Sequence, residues 1–150
     1  MAIRKIVLKR DPILRKKSRE ITEINRRIKI LLDDMYETMK QANGVGFAAP
    51  QVGVLRRAAV VDVGEGRIDL INPEIIHSEG ELIASEGCLS CPEENAYVPR
   101  PALVKVRALG LDGKEKIIVG EELLARALCH EIDHLDGILF LDKAVEYNEQ

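Results

Sequence analysis

No segment of the 150-residue chain is apolar for long enough to cross a membrane, and the N-terminus lacks the pattern of a secretory signal. Positive charge is not in excess either. The 22 lysines and arginines against 25 aspartates and glutamates leave a net charge of −3, which removes the electrostatic case for direct nucleic-acid binding. The one basic cluster, Arg15-Lys16-Lys17, reads as a solvated face. Cysteine is scarce, and its odd count of three argues against a disulfide framework and for a reducing, cytoplasmic setting. Repeats, linkers and low-complexity segments are missing. The remainder, 46% hydrophobic and 31% charged, is ordinary for a globular protein, and residues 1–150 read as one domain.

The strongest chemical signal is His130-Glu131-Ile132-Asp133-His134. Two histidines four apart on a helix project from one face, the spacing that two ligands of one metal ion require. Glu131 follows the first histidine, where a carboxylate can handle the proton of a metal-bound water. The surroundings predict the helix. Gly120 precedes Glu121 and Glu122, acids suited to a first turn; Leu123, Ala127, His130 and His134 form one inward stripe; Gly137 stands where the helix should stop. Two core histidines that merely hydrogen-bond are the plainer alternative, but the intervening glutamate favours metal-assisted hydrolysis.

A third ligand is needed. The run after His134 begins like a metzincin protease, yet Phe140 stands where that pattern needs a histidine. A thermolysin-like site would use a downstream glutamate, and only Glu146 and Glu149 follow, in a short polar tail ill suited to a rigid ligand. Upstream candidates are His77, Cys88, Cys91 and Cys129. Of these, Cys129 lies about 100° around the helix from His130 and cannot easily share its metal. The residues themselves leave the other three open.

Cys88 lies within Glu86-Gly87-Cys88-Leu89-Ser90. Together with Gly44-Val45-Gly46-Phe47-Ala48-Ala49-Pro50-Gln51 and the histidine helix, this resembles the peptide deformylase family. The motifs G-x-G-[hydrophobic]-A-A-x-Q, E-G-C-L-S and H-E-x-D-H run in that order along essentially the whole chain. The resemblance implies removal of the formyl group from the initiator methionine of newly made bacterial proteins. Its partners would be N-formylmethionyl peptides and nascent chains, with a transient ribosome contact as the alternative role of the basic cluster. It implies Cys88, His130 and His134 as ligands of one divalent ion, leaving a position for water. Glu131 would be the general acid/base, and the Gln51 side-chain amide and Leu89 backbone N–H would hold the oxyanion. Val45 and Gly46, with Leu89, would flank the methionine subsite; from position alone, the inward helix face at Leu123 and Ala127 would supply its apolar wall, with ordinary core packing as the alternative for each. Metal-bound hydroxide would attack the formyl carbon, Glu131 would pass the proton to the departing amine, and formate would leave. The resemblance implies Fe²⁺ as the physiological ion, with Zn²⁺, Ni²⁺ or Co²⁺ as substitutes, whereas ligand chemistry alone points to Zn²⁺. Phe47, where leucine is commoner, and Cys91, where valine or isoleucine is commoner, depart from the family pattern.

Other readings compete. A zinc peptidase shares the same histidine helix. A non-catalytic zinc module would use Cys91 to close a Cys₂His₂ site and leave no position for water. The C-x-x-C formed by Cys88 and Cys91 also allows a disulfide that ejects the metal under oxidation. Gly44 to Ala49 formally fits a dinucleotide fingerprint, but it follows a helix and runs into Pro50. It reads instead as backbone that can approach a ligand closely, and the resemblance implies that it pairs with the substrate backbone like an added strand.

Periodicity predicts an amphipathic helix over 24–42, with Ile28, Leu31, Leu32, Met35, Met39 and Ala42 on one stripe and Asn43-Gly44 ending it. Strands are expected at 58–63, 81–85, 104–108 and 114–119, the last two joined as a hairpin by Asp112-Gly113. Pro92, Pro99 and Pro101 mark an irregular stretch. The fold class is therefore α+β: mostly antiparallel sheets packed around the metal-bearing helix, with an amphipathic N-terminal helix. Glu86 is expected as a supporting carboxylate beside the ligands, and Asp133 is expected to face away from the metal and pair with a base such as Arg100.

Overall fold

Strand β2, Ala58–Val61, is apolar at every position because both of its faces are covered. Ala59 and Val61 pack toward one helix and Ala58 and Val60 toward the other, so a single strand serves two cores. This arrangement comes from a computed structural model, which describes residues 2–147; Glu149 lies outside them. β2 pairs antiparallel with β1 (Gly46–Ala48) and with β3 (Ile68–Glu79). The sheet is completed by β6 (Leu103–Leu109) and β7 (Glu115–Glu121) in the order β1-β2-β3-β6-β7. A separate antiparallel pair is formed by β4 (Leu82–Cys88) and β5 (Cys91–Arg100).

Helix α1, Arg26–Gln41, starts where the Asn25 side chain accepts a hydrogen bond from the Ile28 N–H, capping an otherwise orphaned donor. It ends as Asn43 turns left-handed at φ 59° and the Gly44 N–H returns to the Met39 carbonyl. Ile28, Leu31, Leu32, Met35 and Met39 bury themselves against Phe47, Ala58, Val60 and Ile71. Helix α2, Glu122–Leu135, covers the opposite face with Ala125, Leu128, Ile132 and Leu135. Glu121 ends β7 and stands before the helix without a side-chain hydrogen bond to it, so Glu122 is the one acid in the first turn. The Glu122 N–H donates to the Ala102 carbonyl at one end, and at the other the Leu135 carbonyl accepts from the Ser18 N–H and from Arg57, so both ends of the histidine helix are tied to the body.

Three expectations change. The proline stretch is not irregular: Cys91–Arg100 is a strand. Its sheet has two strands, so half of its N–H groups have no ladder partner to lose, and Pro92 and Pro99 are tolerated. Strand β3 was not expected; Asn72, at φ 51°, and Pro73 sit where its register with β6 shifts, which disguises one long strand as a turn. The strand expected at 81–85 runs on to Cys88, so the first ligand candidate lies at a strand end.

Candidate metal centre

The last turns of α2 point His130 and His134 into the seam between the helix and the β4–β5 pair, where Cys88 ends β4. Both histidines are buried and Cys88 is half-buried. Cys88 Sγ lies 3.4 Å from His134 Nε2, and the two Nε2 atoms are 3.2 Å apart. Three donor atoms bound to one tetrahedral ion at about 2.0–2.3 Å would stand roughly 3.5 Å apart, so the set fits a divalent cation. Among the described residues, Cys88, His130 and His134 are the one trio of such side chains close enough to share an ion. His77, on the exposed end of β3, pairs with Glu79 and is far from contention. Cys91 and Cys129 are outside the trio, Cys129 within the core under α2.

The tautomer of His130 is set from behind. Its Nδ1 meets a Glu86 oxygen, leaving Nε2 to face Cys88 and His134. Glu86 is itself clamped by Arg100, at 3.1 and 2.7 Å, and by Arg126 at 2.7 Å. Burial alone raises the Glu86 carboxyl, but its hydrogen bonds to His130 and Arg100 reverse this and bring it down to about 2. Arg100 also reaches Asp133 at 2.6 Å, on the side of α2 away from the ligands. Burial by itself lowers His130, but Glu131, the Cys88 thiol and Glu86 outweigh it and lift it to about 10. A cation binding there must therefore displace a proton. Burial, aided by the charge of His130, holds His134 well below its ordinary value, in the neutral form that binds metals.

A cavity of about 460 Å³ opens onto this centre. Val45, Gly46, Gln51, Cys88, Leu89 and Glu131 line it, with Leu123 and Ala127 opposite. Leu123 is not buried as its stripe suggested: it is 51% exposed, at the cavity mouth where α2 begins. Glu131 is 3% exposed and its Oε1 has no hydrogen-bond partner. Burial pushes its carboxyl up to about 7. Gly46 is what makes room for it, since a Cβ there would lie 2.4 Å from Glu131 Oε2.

Gln51 is fixed at both ends of its amide. Oε1 accepts from the Ala48 N–H at 2.9 Å, and Nε2 donates to Ser90 Oγ at 3.1 Å and lies 3.6 Å from Cys88 Sγ. The N-terminal segment braces both loops, with the Val7 N–H on the Gln51 carbonyl and the Lys9 N–H on that of Ser90.

Three participants escaped the sequence reading. Ser90 orients Gln51, Phe140 stacks on the His130 ring at 5.9 Å, and Arg126 grips Glu86 from one turn before His130. Arg126 left a signal as a charge on a largely buried helix and Ser90 as the last residue of the E-G-C-L-S motif, whereas Phe140 left none.

The comparisons with known proteins agree with this geometry. The family model described as "Polypeptide deformylase" matches residues 3–150. A peptide deformylase of Alkaliphilus metalliredigens is 61% identical over 146 residues, covering 97% of this chain and 99% of that one. One from Caldanaerobacter subterraneus subsp. tengcongensis is 59% identical over 147 residues, covering 98% of this chain and 92% of its own. The crystal structure of peptide deformylase from Thermotoga maritima superimposes with a TM-score of 0.95 at 37% identity, covering 97% of this chain and all of that one. The chain therefore belongs to the polypeptide deformylase family, enzymes that remove N-formyl groups.

Proposed function

We propose that the chain, as one catalytic domain, removes the formyl group from the initiator methionine of new polypeptides in the cytoplasm, with Cys88, His130 and His134 holding the metal. The observation that carries the assignment of roles is the buried, unpartnered Glu131 carboxylate facing the same cavity as those three donors. A divalent ion held there supplies the Lewis acidity that makes water a nucleophile at neutral pH. Fe²⁺ is the proposed physiological ion; one sulfur and two imidazole donors also accept Zn²⁺, Ni²⁺ and Co²⁺.

The chain's own residues do the rest. Glu131 takes the proton from the attacking water and delivers it to the amine nitrogen, which is a poor leaving group until protonated. Gln51 Nε2, already held by Ser90, and the Leu89 N–H donate to the formyl oxygen as it gains charge; each such donor contributes roughly 10²–10³ in turnover. Val45 and Gly46 pair with the substrate backbone, and Leu89, Leu123 and Ala127 surround the methionine side chain. Glu86 keeps His130 oriented.

Two alternatives fare worse. A closed zinc module needs Cys91 among the donors, and it stands outside them, packed with Val98 and Phe140. A peptidase reading explains the helix but not the Gln51 amide held beside Cys88 Sγ. A transient ribosome contact through the exposed Arg15-Lys16-Lys17 is a separate part of the reading, on which the reaction does not depend. The test is to incubate anaerobically Fe²⁺-loaded protein with formyl-Met-Ala-Ser and weigh the products. Formate with intact Met-Ala-Ser supports the reading; cleavage between Met and Ala, or no reaction with metal bound, overturns it.

A further inference from the structure

Cys91 takes no part in the proposed reaction, yet it stands against the one donor of the metal trio that is readily oxidised. A bulge after Gly87, which pairs with Asn95, brings Cys88 directly opposite Cys91 across the two-residue turn Leu89-Ser90. Opposed residues of antiparallel strands have Cα atoms about 4.5–5.5 Å apart with side chains on one face, inside the roughly 4.4–6.8 Å that a disulfide spans. Cys88 packs onto the small cluster of Cys91, Val98 and Phe140. Both thiols are free; Cys91 is 2% exposed, whereas Cys88 lines the cavity. A small oxidant entering this cavity meets Cys88, which lines it, whereas Cys91 does not line it and is nearly sealed at the edge of a second cavity beside Leu8 and Lys9.

We propose that Cys91 is the resolving thiol of Cys88, so that oxidation of Cys88 by a peroxide ends in an intrachain Cys88–Cys91 disulfide rather than in sulfinic or sulfonic acid. In the first step the Cys88 sulfur attacks a peroxide oxygen and the O–O bond breaks. Two electrons pass from sulfur to oxygen, and the leaving hydroxide takes a proton to become water, giving Cys88 sulfenic acid. In the second step the Cys91 sulfur attacks the Cys88 sulfur. The S–S bond forms, the S–O bond breaks, and the hydroxyl leaves as water with the Cys91 proton. Because Cys91 lies outside the donor trio, bonding to it draws Cys88 away from His130 and His134 and leaves two imidazoles, too few to retain the ion. A dithiol reductant reverses the bond. The thiol chemistry stands without the metal reading; only the release of metal rests on it.

The experiment treats metal-loaded, full-length protein with hydrogen peroxide, beside Cys91→Val and Cys129→Ala. Valine suits a buried strand position; thermal unfolding and metal content verify its fold, and Cys91→Ser replaces it if they do not. In the native protein the mass should fall by two hydrogens, free thiols should drop from three to one, and peptide mapping should join residues 88 and 91. Dithiothreitol should restore the mass, the thiols and the capacity for metal. Cys91→Val should instead gain two or three oxygens at Cys88, which dithiothreitol cannot remove. Cys129→Ala should behave like the native protein, since Cys129 lies in the core under α2. The proposal is overturned if native protein takes up oxygen at Cys88 as readily as Cys91→Val, or links Cys88 to Cys129 or to another chain. Disulfide formation with the ion retained would uphold Cys91 as the resolving thiol and remove Cys88 from the ligand set.

Discussion

Replacing Gly46 by alanine displaces Glu131 while leaving Cys88, His130 and His134 unaltered. Gly46 has no left-handed backbone requirement, so alanine is acceptable to β1 itself. The obstacle is the new Cβ, which would stand 2.4 Å from Glu131 Oε2, 2.9 Å from Cδ and 3.0 Å from Cγ. Ordinary contact begins near 3.4 Å, so the carboxylate must retreat by about 1 Å into a neighbourhood where Glu131 is already 3% exposed. Overpacking of this kind costs about 1–3 kcal/mol of stability, which a folded domain survives. Misplacing a catalytic group by about 1 Å costs roughly 10² in rate. Gly46→Ala should therefore remain folded and bind one metal ion, since the three atoms nearest its Cβ all belong to Glu131 and none to Cys88, His130 or His134. Its kcat for formate release should fall about 100-fold, with a smaller change in KM. The control is Gly44→Ala, whose Cβ lies nearest the movable end of Leu89, at 2.8 Å, and Met39, at 3.3 Å; it should lose about tenfold or less. Formate release, metal content and thermal midpoint are measured on both variants. Full activity in Gly46→Ala, or loss of metal in step with activity, would refute the reasoning.

The remaining predictions concern the supports of the site. Glu86→Ala leaves the buried guanidiniums of Arg100 and Arg126 without their shared carboxylate, and should destabilise the protein by about 3–5 kcal/mol. It should also weaken metal binding by roughly 10–100-fold through His130, measured by chelator competition; unchanged affinity would count against that role. Gly137→Ala should lower the thermal midpoint without touching metal affinity in the surviving fold, because φ is +75° and its Cβ would lie 2.5 Å from the Arg15 carbonyl oxygen. Chelation should lower the midpoint of native protein, since an ion bound only to the folded state stabilises it. That shift should vanish in Cys88→Ser, and its persistence there would remove Cys88 from the ligand set.

How much of this was readable in the chain varies with how local the determinant is. The histidine helix announced itself through the stripe of His130 and His134 and the stop at Gly137, features that act within a few turns. Asp112-Gly113 likewise marked the β6–β7 hairpin, where the Asp112 side chain accepts from the Lys114 N–H. The pairing of Asp133 with Arg100 could be anticipated because a charge on the far side of α2 requires a partner. Strand β3 was invisible because its bulge at Asn72-Pro73 looks like a turn unless β6 is known to lie alongside. Strand β5 was hidden by its prolines for the same reason, since only the sheet shows which N–H groups are needed. Ser90 and Phe140 act through contacts 39 and 10 residues away in sequence, with Gln51 and His130, and although Ser90 closes the E-G-C-L-S motif, nothing local shows what either one touches.

The most direct test is formate release from formyl-Met-Ala-Ser by anaerobically loaded native protein and Glu131→Gln, each carrying one measured equivalent of metal. General acid/base groups contribute roughly 10²–10⁴ in rate, so the account predicts rapid release by the native protein and a loss of at least about 100-fold in the variant at equal metal content. Equal rates would contradict the role given to Glu131. Failure of the metal-loaded native protein to release formate would contradict the account as a whole.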